Sequence, residues 1–155
     1  MKRSGFTTIE MLMVVVIIGV IATLGFPRVR DALDKQSRRS MRAGIVTFVA
    51  TARGAAVARG CLSSVHFVSG PNSRVWVTTC NTQPGAAAGA RDTLSGPFWT
   101  EERWGHRFQS GKDEINFTPR GMRQTLVRTV ILIRTKGDVT RDSVVVNELG
   151  KVVYP

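Results

Sequence analysis

Metal ligands are scarce in this chain. Two cysteines, Cys61 and Cys80, and two histidines, His66 and His106, are all that its 155 residues contain. Nothing near the cysteines resembles a second ligand pair, which argues against zinc. Catalytic patterns are lacking as well: no Gly-x-Ser-x-Gly, no Walker loop and no His-Glu-x-x-His occurs. The acidic pairs Glu101-Glu102 and Asp113-Glu114 have no companion set, and His66 alternates with strand-like residues as a structural histidine would. No enzymatic activity and no cofactor are expected. Negative charge is short too, with 11 Asp and Glu against 22 Lys and Arg, for a net charge of +11. Such a surplus favours phosphate backbones, anionic lipid or acidic neighbouring subunits, and a solvated basic surface accounts for it equally well. Disorder is not expected, because 43% hydrophobic and 21% charged residues are ordinary for a globular chain.

What the chain does have is one long apolar run. Met11 to Phe26 reads MLMVVVIIGVIATLGF, with Thr23 its only polar side chain. Extended back to Phe6 and wound as a helix it reaches about 31 Å, close to the ~30 Å of a hydrocarbon core. Lys2 and Arg3 precede it and would stay on the cytoplasmic side, sending the bulk of the chain across the membrane. A cleavable secretory signal and a plain unprocessed anchor are the rival readings. The very short leader, the acid Glu10 just inside the run and the lack of an A-x-A site weigh against the first.

The stretch KRSG-FTTIEMLMVVVIIGVIATLGFP resembles the class III signal of type IV pilins and type II secretion pseudopilins. The resemblance implies cleavage by a prepilin peptidase between Gly5 and Phe6, methylation of the new N-terminus, and an assembly role for Glu10. Pro27 matches a recurrent family proline, whereas Thr8 departs from the usual Leu. Physically, an unpaired carboxylate in hydrocarbon costs a few kcal/mol, and the free amine of a neighbouring subunit's Phe6 would neutralise Glu10. The alternative is that Glu10 only complements the positive end of the helix in its first turn.

Beyond Pro27, RVRDALDKQSRRSMRAG is charged nearly all round. Arg30 with Asp34, Asp31 with Lys35 and Asp34 with Arg38 are i,i+4 pairs that support an exposed helix. Arg28, Arg30, Arg38, Arg39 and Arg42 form a basic collar, either for lipid or filament neighbours or simply solvated. From Met41, the residues Met41, Ile45, Phe48, Val49, Ala52 and Ala56 recur at three-and-four spacing and make one sticky face. Gly60 supplies the stop.

The rest reads as strands: CLSSVHFV and RVWVTTC around the turn SGPNS, then EINFT, LVRTVILIR, DSVVVN and KVVY, separated by turn residues. Asn81 to Pro97 shows no periodicity and is expected to be a mobile surface loop. Trp99 and Trp104 either form a contact patch or cover an edge of the core. Counting outward from Gly70 and Pro71 sets Cys61 opposite Cys80, and a turn centred on Pro71 and Asn72 shifts that register by two. An oxidising compartment favours a disulfide between the two.

The expected fold is α+β, a long N-terminal helix on an antiparallel β-sheet head. Its divisions are a leader at 1–5, a transmembrane and filament-core helix at 6–27, an amphipathic helix at 28–59 and a β-rich head at 60–155. One helix followed by strands is similar to the H-type pseudopilins and FimT/FimU minor pilins, with INFTPRG and VVVNELGKV resembling that subgroup's late strands. The resemblance implies a structural subunit of a bacterial type II secretion pseudopilus or type IV pilus. Its partners would be other pilins or pseudopilins, the peptidase and the inner membrane, with the head in the periplasm. DNA capture is the alternative function. Uptake members of that subgroup carry a Gly-Arg-x-Arg element, and here Gly150, Lys151, Val152, Val153 fills only one basic position. Arg120 and Arg123 are candidates to compensate, and binding is expected to be weak.

Overall fold

The computed structural model describes residues 7–154, and the chain divides into two units between Gln36 and Ser37. Helix α1 (Thr8–Arg59) contributes to both and runs through Pro27. In the first unit its apolar residues are exposed all round, from Ile9 to Phe26. Arg30 there lies over the Phe26 ring, 4.8 Å from its centroid.

The second unit places the remainder of α1 against eight strands. These are β1 (Ser63–Val68), β2 (Arg74–Cys80), β3 (Arg91–Trp99), β4 (Arg107–Ser110), β5 (Glu114–Phe117), β6 (Thr129–Arg134), β7 (Thr140–Val146) and β8 (Val152–Val153), with a one-turn helix α2 (Thr100–Trp104) between β3 and β4. They form two four-stranded sheets in the orders β3-β2-β1-β5 and β4-β6-β7-β8, and every pairing is antiparallel. The α+β architecture expected from the sequence is therefore present, with two sheets where the sequence pattern had implied one.

One core joins the three parts. Met41, Ile45, Phe48, Val49, Ala52 and Ala56 of α1 are buried together with Val65, Phe67, Val75 and Val77 of the first sheet and Phe108, Ile131, Ile133 and Val144 of the second. Period-3.6 apolar spacing on the helix and period-2 spacing on the strands converge there. Phe67 of β1 meets Phe108 of β4 edge-on at 5.8 Å, so an aromatic pair bridges the sheets. Truncating either to Ala would cost about 3–5 kcal/mol.

Two stretches depart from expectation. Asn81 to Pro97 is a loop only to residue 90, because Arg91–Trp99 is the edge strand β3. Its register against β2 is irregular around Val75 and Val77, which erases the alternation a strand normally shows in sequence. Pro97, lacking an N–H, is tolerated at such an edge. The second is α2, whose Trp104 packs onto Gly44 of α1 so closely that a Cβ there would lie 2.6 Å from the ring. Ser37 also donates a hydrogen bond to the Trp104 carbonyl. Trp104 thus covers an edge of the core.

Candidate functional site

Three places in the molecule bear on function: the start of α1, the corner where α1 ends, and the surfaces of the head. At the start, Thr7 precedes the helix and the Glu10 amide donates to its hydroxyl at 3.3 Å and its carbonyl at 3.2 Å. Thr7-Thr8-Ile9-Glu10 is thus the side-chain N-cap spacing that places an acid in the first turn. Gly5 and Phe6 lie outside the described residues. Further along, the Thr23 hydroxyl donates to the Val20 carbonyl at 2.9 Å, so the one polar side chain of the apolar run is satisfied within its own helix. Mean hydropathy over this part of α1 reaches 2.5 and none of it is buried. Such a surface is unstable in water and calls for lipid or other apolar helices.

At the other end of α1, Gly60 adopts φ 65° and the Cys61 amide donates to the Ala56 carbonyl at 3.2 Å. This is the six-to-one bond of a Schellman cap, which a glycine at that place permits. Cys61 is disulfide-bonded to Cys80, with Cα atoms 6.2 Å apart. Arg59 reinforces the corner, donating to the Cys80 carbonyl at 2.9 Å and lying 3.4 Å from the Asp92 carboxylate.

The candidate basic residues separate. Arg123 is only 6% exposed. Its guanidinium donates to the carbonyls of Val127, Val146 and Asn147 and, at 2.9 Å, to the Thr129 hydroxyl. This corrects the sequence-based candidacy of Arg123 for DNA contact: the side chain closes the end of the second sheet and is almost wholly withdrawn from solvent. Burial pushes its pKa down from the ordinary arginine value. Arg120 is exposed in the turn closed by the Thr118 amide and Met122 carbonyl at 2.8 Å. Lys151 is exposed beside the Asn147 turn. Arg53, which the sequence pattern did not single out, lines a cleft of about 270 Å³ with Lys151, Val46, Val49 and Gly150. Gly121 sits against it, since a Cβ there would lie 3.3 Å from the Arg53 Nε. Of the predicted collar, Arg42 is engaged in the head, 2.5 Å from the Asp142 carboxylate and 4.9 Å from the Tyr154 ring centroid.

The outer face of the first sheet went unread in the sequence, because alternation identified its strands without showing what their polar sides do together. Trp76 stacks on His66 at 4.9 Å, and the His66 Nε2 lies 2.8 Å from the Thr78 hydroxyl. Arg91 donates to Ser64 at 2.7 Å and approaches Glu114 at 3.5 Å. Burial lowers the His66 pKa, with the Glu114 charge opposing and Arg91 reinforcing. Elsewhere on the head, Glu101 accepts from Arg107 at 2.8 Å and pairs with Lys136 at 3.2 Å. Those hydrogen bonds hold its carboxyl below the usual range and raise Arg107. Among the described residues no group of three His, Cys, Asp or Glu side chains is placed to hold a metal ion.

No family model and no curated protein sequence matches the chain. Two solved structures do, both crystal forms of the Pseudomonas aeruginosa (strain PAO1) type IV minor pilin FimU. One aligns with a TM-score of 0.51 at 13% identity, covering 76% of this chain and 91% of that one. The other aligns with a TM-score of 0.52 at 14% identity, covering 81% and 90%. At such identity the likeness is one of fold, and the chain has the pilin-like fold: a long N-terminal helix on antiparallel sheets.

Proposed function

We propose that this chain is a structural minor pilin or pseudopilin subunit that assembles through its N-terminal helix into a type IV pilus or type II secretion pseudopilus. The observation that carries the reading is the chemistry of α1. Its first half is apolar and exposed on every side, and its second half buries the Met41-to-Ala56 face in the head. One helix thus joins a water-soluble domain to a segment that requires lipid or other helices. Before assembly it serves as a single-pass inner-membrane anchor with the head in the periplasm, and afterwards as a strand of the filament core. The role is structural rather than catalytic.

Within this reading, a prepilin peptidase removes residues 1–5 and leaves methylated Phe6. Glu10, held in the first turn, then meets the amine of a neighbouring subunit, which neutralises both charges and sets the stagger between helices. Replacement by Leu tests this. Glu10→Leu is expected to leave expression, membrane insertion and head stability unchanged while abolishing incorporation into sheared filaments. Normal incorporation would remove Glu10 from the mechanism.

DNA capture is a second reading, favoured by the charge of the head and by the cleft that Arg53 shares with Lys151. Residues 37–155 carry 17 Lys and Arg against 8 Asp and Glu, a surplus that attracts phosphate at low salt. With Arg123 turned inward, Arg120, Lys151 and Arg53 are the residues that would make contact, and the expected affinity is weak at physiological salt.

A further inference from the structure

The outer face of the first sheet holds an arginine that lies against two indoles and has no carboxylate partner among the described residues. The guanidinium carbon of Arg74 lies 5.4 Å from the Trp76 ring centroid and 5.3 Å from that of Trp99. Cation–π attraction to two indoles restrains the side chain that would otherwise swing freely in solvent. Yet Arg74 makes no hydrogen bond or ion pair among the described residues, and its Nε is shielded from water without a partner. Its planar fork is ordered and its terminal nitrogens remain available to a carboxylate.

Arg74 also walls an open cleft of about 220 Å³ together with Trp76, Thr93 and Pro97. Gly96 makes that wall possible. It adopts φ 92°, and a Cβ there would lie 2.7 Å from the Val75 carbonyl and 2.8 Å from the Trp76 Cβ. Only glycine allows β3 to approach β2 so closely.

We infer that this cleft binds an acidic saccharide, a sugar ring bearing a carboxylate. The carboxylate would take the terminal nitrogens of Arg74, for which a planar fork is the matching donor. The apolar face of the ring would lie along Pro97, with the Thr93 hydroxyl on the wall for a ring hydroxyl. This divides the ligand into an apolar face and a few convergent polar groups, the usual anatomy of a small-molecule site.

Single-stranded nucleic acid is the other polyanion that a basic, aromatic face attracts, and the contacts disfavour it. Base stacking needs open aromatic faces, whereas Trp76 is already paired with His66 at 4.9 Å and with Arg74. The second cation of the face, Arg91, is partly offset by Glu114 at 3.5 Å. One free cation beside a cleft of ring size fits one carboxylate per ring better than a continuous phosphate backbone.

The test is calorimetric titration of the full-length protein in detergent micelles with a de-esterified galacturonic acid trimer, the neutral galactose trimer and an oligo-dT. The acidic trimer is expected to bind saturably and the neutral one not at all. Arg74→Gln should weaken binding of the acidic trimer at least ten-fold with an unchanged melting temperature, and Arg128→Gln, beside Val145 and Asn147 at the second sheet, should not. Should Arg74→Gln fail to fold, Arg74→Lys keeps the charge and loses the fork, and a clear weakening is expected there too. Absent binding by the native protein, undiminished affinity in the Arg74 variant, or tighter binding of oligo-dT that Arg74→Gln abolishes would each overturn the inference.

Discussion

Cys61 and Cys80 are joined although the sheet register does not set them opposite one another. Ser63 pairs with Thr79, so one further step of the ladder would bring Leu62 beside Cys80. The register thus falls between the two alternatives that the turn chemistry allowed. Cys61 reaches its partner because the Schellman turn after Arg59 lifts it out of the strand, so the disulfide staples the end of α1 to the end of β2.

Loss of that staple should destabilise the head. With the two cysteines 19 positions apart in sequence, the chain-entropy model assigns the bond about 3 kcal/mol. Urea unfolding of the native protein with and without reductant, and of Cys61→Ser/Cys80→Ser, is expected to show a midpoint lowered to that extent. Coincident curves would mean that the helix cap and Arg59 hold the corner unaided.

Processing should remove Met1 to Gly5 and methylate Phe6. Intact mass of protein from cells with and without the peptidase reads both changes at once. Retention of all five residues would exclude the proposed maturation, and loss of a longer N-terminal piece would point to an ordinary signal peptidase.

Arg123 is expected to matter for stability rather than for contact with DNA. Arg123→Met strands three carbonyls and the Thr129 hydroxyl, at a cost of about 3 kcal/mol. The folded fraction should keep whatever weak duplex affinity the native protein has, whereas Arg53→Ala with Lys151→Ala should lower it and flatten its salt dependence. A duplex titration at two salt concentrations separates these cases. Tight binding that persists at physiological salt and vanishes with Lys151→Ala alone would make DNA capture the leading function.

Acid should destabilise the head in part through His66. Its folded pKa is lowered, chiefly by burial, so the unfolded chain takes up the proton first. The stabilising contribution is complete above the unfolded value of about 6.5 and declines as pH falls through that value toward the folded one. His66→Gln keeps a side chain able to reach Thr78 and does not titrate. Melting temperatures at pH 7.5 and 5.5 should therefore differ less in the variant than in the native head. Glu101 acts lower in the range. Its depressed pKa gives stability above the unfolded carboxylate value that is lost as pH falls through the folded one. An identical pH slope in native protein and variant would remove His66 from this account.

The sequence by itself determined the local features of this protein. The apolar run defines the exposed half of α1, since its only polar side chain, Thr23, is satisfied within its own helix. The three-and-four spacing from Met41 to Ala56 named all six buried residues of the helix, and Gly60 its end, because a helix periodicity and a left-handed stop are properties of neighbouring residues. What only the tertiary structure decided lies between residues distant in sequence. The division of the strands into two sheets, the recruitment of Arg91–Trp99 as an irregular edge, the inward turn of Arg123 and the clamping of Arg74 between Trp76 and Trp99 depend on contacts that no local periodicity encodes. An arginine reads the same in sequence whether it faces water or a ring of carbonyls; the surroundings supplied by the fold select which.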